Sequence, residues 1–405
     1  MAIPQPITKP TEQRASERVT LRAFVLGLIT IVGMCIYSQF YRKHLAIDFL
    51  PLTALLPLVF WIGLNILLKT LFPRLAMSRI EMLAIFGIVW LPSVMWATSM
   101  YLIGTVTSPA YYASPENRFW EVGWPHLPHW MFLDRSDYVL EGFFSGLPEG
   151  DSIPWGPWIT PLFWWFAGIL GMVMTGFFAS VIFYRQWADK ERLTFPLAKV
   201  PQDLLRVSER GRVPDVMMNG VFWIGFACTG GVVLWNIAGY FLLHMPRITL
   251  YDGMAATAVN IGRGFPPYYL RLQPLLMGIA YHCPLNLLFT FWIFYPIRIL
   301  KEGLMNRVGF SVGLEGQPAT TGEILTLEAN GALFFLVVWS IWIARNHLRD
   351  TFRKAFSGPR SDDDGLPVSY RAAWLGFICC GVFMVGLLVS IGFSLLIAIV
   401  HLILA

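Results

Sequence analysis

The stretch Trp158-Ile-Thr-Pro-Leu-Phe-Trp-Trp-Phe-Ala-Gly-Ile-Leu-Gly-Met-Val-Met-Thr-Gly-Phe-Phe-Ala-Ser-Val-Ile-Phe-Tyr184 decides the fold class. It holds no acid, lysine, arginine or histidine. At 1.5 Å per residue it is long enough to cross a bilayer core of roughly 30 Å. In lipid every backbone N–H and C=O must be satisfied inside the chain, so such a run has to be helical. Comparable runs cover Leu21 to Tyr41, Phe49 to Phe72 and Ile80 to Ile103, and more follow. The whole chain of 405 residues is 56% hydrophobic and only 14% charged. Soluble domains carry nearer 25% charge, so a soluble reading is excluded. The expected architecture is all-α: one polytopic integral membrane bundle over residues 1–405, with about 8–10 transmembrane helices including a broken or re-entrant segment.

Working outward, basic residues set the topology. Arg14, Arg18 and Arg22 place a tail of residues 1–20 in the cytoplasm. The tail is polar and no small-residue cleavage site follows, so the first apolar run reads as a retained span rather than a signal peptide. Lys69, Arg74 and Arg79 mark a cytoplasmic turn between the second and third spans, and Pro92 predicts a bend in the third. Residues 107–157 are rich in acids and tryptophan and poor in lysine and arginine, which puts them outside the cytoplasm. Residues 185–215 and 345–371 are both strongly basic and both read as cytoplasmic. The expected setting is the inner membrane of a bacterium.

Those last two assignments conflict with the span count. Two loops on one side need an even number of crossings between them, yet three clear apolar runs separate them: about 216–243, 274–299 and 324–344. Something within 244–323 must therefore be a broken span, a pair of short helices or a re-entrant hairpin. Pro274 to Pro284 and the Gly/Thr-rich Gly309 to Gly322 are the two candidates. Interrupted helices in a membrane protein face protein or a wet cavity, and they are the best sequence pointer to a transporter's binding site. The alternative is a long loop. The final apolar stretch, 372–405, is too long for one ordinary span and is expected to turn near 390–394. It runs to Ala405 without a polar flank, so the expectation is either a short last helix capped by a partner or the front portion of a longer protein.

Few polar groups lie near membrane depth, and their burial is costly, so each is a candidate for a substrate path: Glu81, Asn236, Tyr281, His282, Glu328 and Asn330. Against this, Glu81 and Glu328 stand near helix starts, where the dipole favours a carboxylate. His282 could equally be a neutral ring packed on a carbonyl. After the fourth span, Thr194-Phe-Pro-Leu197 reads as an extended turn into an amphipathic surface helix, with Phe195 and Pro196 as candidates for a cytoplasmic gate. The tryptophans of 107–157 read as an interfacial belt or as a lid over an entrance. No nucleophile–base, zinc or P-loop pattern appears, and no catalysis, cofactor or metal is expected. Cys35, Cys228, Cys283, Cys379 and Cys380 lack metal spacing and are expected to stay unpaired. The charge of +5 sits at helix ends and is no nucleic-acid footprint.

The succession Ser114-Pro-Glu-Asn-Arg, Trp124-Pro-His-Leu-Pro, Glu191-Arg-Leu-Thr-Phe-Pro-Leu-Ala and Leu327-Glu-Ala-Asn-Gly-Ala resembles large bacterial membrane proteins of unknown function. These are distantly similar to the oligopeptide transporter superfamily, in which a Phe-Pro motif follows an early span. The resemblance implies an alternating-access permease for a small solute or peptide, with broken helices near the midplane. Such proteins are usually longer, so it also implies a second transmembrane subunit or a second copy. A structural, non-catalytic subunit of a larger membrane complex is the competing expectation.

Overall fold

Helix ends and the apolar runs coincide closely. The computed structural model describes residues 19–41, 52–114, 116, 118–134, 138–207, 213–242, 245–246, 248, 257–270, 274–310, 312–314, 317–357 and 366–404. Among them are thirteen helices. They are α1 (Leu21–Tyr41), α2 (Leu52–Leu71), α3 (Arg79–Tyr111), α4 (Phe119–Val122), α5 (Tyr138–Ser145), α6 (Gly156–Arg185) and α7 (Pro196–Leu204). Then come α8 (Gly220–Phe241), α9 (Pro274–Tyr281), α10 (Leu285–Val308), α11 (Thr321–Ser357), α12 (Tyr370–Ser390) and α13 (Leu395–Leu404). The only strands among the described residues form two antiparallel hairpins. In one, β1 (Thr257–Val259) pairs with β2 (Tyr268–Leu270), Thr257 opposite Leu270; in the other, β3 (Val312–Leu314) pairs with β4 (Gln317–Ala319), Val312 opposite Ala319.

The fold is thus the all-α bundle expected. Among the described residues five helical stretches are long and apolar enough to cross a membrane: 54–71, 156–190, 220–241, 321–356 and 370–390. The chain is a multi-pass membrane protein. Its helices form two compact units, one from residues 1–97 and 195–322, the other from 98–194 and 323–405.

In the first unit α1, α2 and the start of α3 enclose a core of Ala23, Ala54, Leu58, Ile62, Met82, Ile85 and Val89, joined by Leu205. Asn65 is buried inside α2 and would be costly there without partners. Its amide pairs twice with the backbone of Met77, donating to the carbonyl at 3.1 Å and accepting from the N–H at 2.8 Å. The helix is thereby tied to the turn that follows it. Pro274 to Pro284 forms the eight-residue α9, a break, and then α10, which Pro284 opens. Gly309 to Gly322 holds the β3–β4 hairpin rather than a helix break. At the far end of α10, Phe265 from the β1–β2 turn packs on Gly303, beneath the Arg307 guanidinium at 4.8 Å from its ring.

In the second unit α6 and α12 form the most extensive helix pair. Leu387 lies over Gly168, Phe383 and Met384 over Gly171, and Phe178 over Gly376. As the α6 numbers rise the α12 numbers fall, so the pair is antiparallel. Small residues let the backbones approach, which is how helices associate where lipid removes the hydrophobic drive. The Trp-rich segment folds against the end of α3 and the start of α6: Trp124 and Trp158 are buried with Leu102, Val106, Ala110 and Leu133. Trp165 donates to the Met131 carbonyl at 3.0 Å. Part of the tryptophan set is therefore core rather than belt. One boundary also shifts, and one expected turn is found where the sequence placed it. Arg345, Arg349, Arg353 and Lys354 lie on the helical continuation of α11, not in a loop. The last apolar stretch turns at Ile391 and Gly392, where Gly392 has φ +112°.

Candidate functional site

A cavity of about 570 Å³ opens where α7, the 3-10 turn Asp215–Met218 and the end of α9 meet. Its apolar walls are Val200, Leu204, Val216 and Ile279; its polar groups are Asp203, Arg206, Asp215 and His282.

Each group has a local reason to be there. Phe195 and Pro196 are the cap and first residue of α7, where a proline's missing N–H costs nothing. The Phe195 carbonyl accepts from the N–H groups of Ala198 and Lys199. At the other end of α7, Arg79 donates to the Gln202 carbonyl at 3.0 Å, and Leu205 is buried in the first unit's core. The strongly amphipathic helix is thus fixed at both ends, with Asp203 on the cavity side. Beyond it the Asp215 N–H donates to the Arg206 carbonyl at 2.8 Å, and their side chains lie 3.9 Å apart. Asn219 then caps α8 by accepting from the Val221 N–H.

His282 arrives from the opposite wall because α9 stops there. Its N–H and that of Cys283 close the last turn onto Ile279 and Ala280, and Pro284 cannot continue the helix. Nδ1 of His282 lies 3.9 Å from a carboxylate oxygen of Asp203, an ion pair only when the imidazole is protonated. Asp203 is half-exposed, and pairs of this kind contribute roughly 0–1 kcal/mol. That is too little to explain the arrangement as a stabilising device, and little for an incoming solute to replace. Two carboxylates, one guanidinium and one imidazole facing an apolar wall can hold a small solute bearing both donors and acceptors.

The sequence candidates separate under this geometry. Tyr281 and His282 both line the cavity, although the Tyr281 side chain is largely exposed. Phe195 and Pro196 start the helix that forms one wall. Asn236 lies about 24 Å along α8 at 1.5 Å per residue; its amide donates to the Ile248 carbonyl and accepts from the Ile248 N–H at 2.9 Å. Glu81 is occupied in a capping box: its carboxylate accepts from the Ser78 N–H at 2.8 Å and from the Thr20 hydroxyl, while the Ser78 hydroxyl accepts from the Glu81 N–H at 3.2 Å. Glu328 and Asn330 are exposed on α11, in the second unit, and do not line this cavity. Asp203, Arg206 and Asp215 escaped the sequence reading. The amphipathic 3.6-residue pattern of α7 orients Asp203 toward what the helix covers; Arg206 and Asp215 lie beyond that helix and carry no such signal.

Residues 13–405 match the model of a family of unknown function, DUF6785, and the chain belongs to that family. The membership carries no named activity and no link to the oligopeptide transporter superfamily. Neither the curated proteins nor the solved structures give a match.

Proposed function

We propose that this chain is a permease for a small solute or peptide, or one portion of a split permease, with the cavity between Asp203 and His282 as a solute-binding station. The role is transport rather than catalysis, and the setting is the inner membrane of a bacterium with the N-terminus in the cytoplasm. The observation that carries the reading is the break between α9 and α10, which brings His282 to a cavity of mixed polarity.

The path of the chain supports it. α8 has 22 residues and rises about 33 Å from the turn that carries Asp215. Gly278, Ile279, Tyr281 and His282 line the same cavity as Asp215, so the chain returns to the start of α8 before α10 begins. Among its described residues the return holds a hairpin and one helix of about 12 Å, which is far short of a membrane span. Counting it as one crossing makes the number between the two basic segments even. An irregular crossing in lipid is tolerated only beside protein or water, which is where transporters place their sites.

The test is uptake into proteoliposomes of a panel of small solutes and peptides, on either side of neutral pH. Asp203→Asn, His282→Ala and the cavity-filling Gly278→Leu should each cut uptake about tenfold, the effect of roughly 1.4 kcal/mol of lost binding, with unchanged melting. Gly278 has open space around it, so the last variant fills rather than strains. Flux insensitive to all three would refute the station.

A structural subunit is the second reading. It is favoured by α8, none of whose residues is buried within the chain. A helix apolar on every side and uncovered needs lipid or a partner. Native purification decides: co-purification of a stoichiometric second membrane chain, with no flux in its presence, would favour this role over transport.

A further inference from the structure

The cavity beside α7 and α9 has a sign. Three of its lining groups carry fixed charge: Asp203, Asp215 and Arg206. Arg206 and Asp215 are joined through the backbone at 2.8 Å and lie 3.9 Å apart through their side chains, so their charges balance each other. Asp203 is left over. Among the described residues its only ionic neighbour is His282, at 3.9 Å, and no lysine or arginine pairs with it. Lys199, one turn earlier on α7, and Arg79, which donates to the Gln202 carbonyl at 3.0 Å, line no part of the cavity.

The backbone adds the same sign twice. Asp203 is the last residue but one of α7, and Ile279 and Tyr281 belong to the last turn of α9, so both helices end at this cavity. Each C-terminal end carries roughly half a negative elementary charge. An acid in the last turn of a helix is electrostatically disfavoured. The α8 N-terminus, of opposite sign, starts nearby, but Asn219 caps it and neither Asn219 nor Gly220 lines the cavity. Interrupted helices of membrane transporters present their C-terminal ends to cations in this way.

The walls decide what kind of cation fits. A hard metal ion takes about six or more oxygen ligands. Among the described residues no three acids, histidines or cysteines cluster closely enough to hold a metal. Val200, Leu204, Val216 and Ile279 offer apolar surface instead. The volume, about 570 Å³, is that of a small-molecule site. We infer that the solute of this station is an organic monocation, an amine with an apolar body, whose ammonium group sits at Asp203; this rests on the cavity being the binding station proposed above.

The test is equilibrium dialysis with the full chain in phosphatidylcholine nanodiscs, which carry no net charge of their own. The probes are phenethylamine and hexylamine. Each is compared with its neutral N-acetyl derivative and with the carboxylate of the same length, and phenylalanine serves as the zwitterion. Each amine should bind about tenfold more tightly than its acetyl derivative, and the carboxylates should not bind. Asp203→Asn should remove the amine's advantage, whereas Asp203→Glu should retain it. His282→Gln removes the only competitor for the carboxylate and should raise the advantage, by at most about fivefold. Asp203 is half-exposed, so Asp203→Asn should melt with the wild type; Asp203→Ser, equally uncharged, replaces it otherwise. Four results would overturn the assignment: amines no tighter than their acetyl derivatives, tighter binding of phenylalanine or a carboxylate, saturable binding of sodium in the amine's place, or an advantage that survives the loss of the Asp203 charge. Asp203-dependent amine binding without uptake would leave the solute class standing and remove the permease. Asp203-dependent uptake of another solute without amine binding would remove the class and leave the permease.

Discussion

Gly376→Ala is the sharpest test of how the second unit is held together. A Cβ at Gly376 would lie 2.4 Å from two ring carbons of Phe178 and 2.7 Å from a third. Comfortable carbon contacts begin near 3.5 Å, so the ring has to retreat by about an ångström. A ring wedged between helices cannot do that freely, and overpacking of this size costs about 1–3 kcal/mol. Replacing a helical glycine by alanine returns about 0.5–1 kcal/mol. The net expectation is a loss of about 1–2 kcal/mol. Gly381→Ala is the matched control: it lies on the same helix with nothing within 4 Å of its Cβ, so only the helical gain applies. Reversible unfolding in mixed micelles, followed by circular dichroism, measures both. Phe178→Ala should suppress the Gly376→Ala penalty, giving a coupling of about 1–2 kcal/mol in a double-mutant cycle. If Gly376→Ala is as stable as Gly381→Ala, or if Phe178→Ala leaves the penalty intact, the close antiparallel pairing of α6 with α12 is not what fixes this unit.

Other outcomes follow from single contacts. Ser78→Ala should destabilise the first unit by about 1 kcal/mol through loss of the capping box, and Glu81→Gln by less, because the amide still accepts; both are read from the same unfolding assay, and an unchanged midpoint for Ser78→Ala would remove the box from the account. Asn236→Ala removes the partner of the Ile248 N–H and C=O at a cost of about 0.5–1.5 kcal/mol, and hydrogen exchange at Ile248 should accelerate accordingly; unchanged exchange would count against the clamp. The Ser114 hydroxyl, together with the residue's own backbone, holds the Glu116 carboxyl below its ordinary value. A lowered folded value means the contribution is present above the unfolded value and is lost as pH falls through the folded one. Ser114→Ala should move the Glu116 titration, followed by carboxyl carbon NMR, upward toward the ordinary value, and an unmoved titration would refute the contact.

What the sequence made legible was set by solvent. Runs such as Trp158 to Tyr184 have one outcome in lipid, and α6 spans Gly156–Arg185 as a result. The amphipathic turn after Thr194 was legible for a different reason, since Pro196 can begin a helix but not sit comfortably inside one, and α7 starts there. Ser78-x-x-Glu81 is a capping signature in plain sequence, and it accounts for the carboxylate without a substrate. The cavity was only half legible. The break at Pro284 pointed to His282, but Asp203, Arg206 and Asp215 look like ordinary solvated charge in a basic segment. They become a site only because the chain returns to the start of α8, and no periodicity in the sequence encodes that return.

The two asparagines show how the same residue type can mislead. Asn65 and Asn236 each lie inside an apolar helix, near its C-terminal end, and each makes a pair of hydrogen bonds with a backbone unit twelve positions later, at Met77 and Ile248. In lipid an unpaired amide would be costly, so its presence invites a functional reading. Yet a side chain with one donor group and one acceptor matches a peptide unit and can hold a connection against the helix it leaves. Both amides are fully used that way, and neither is left to meet a solute. His282 and Asp203 differ in this respect: at 3.9 Å neither satisfies the other, and both face a cavity. Burial of a polar group within a span is therefore the weaker guide to function here; incomplete satisfaction beside open volume is the stronger one, and it selects the α9–α10 break over every polar residue inside the long helices.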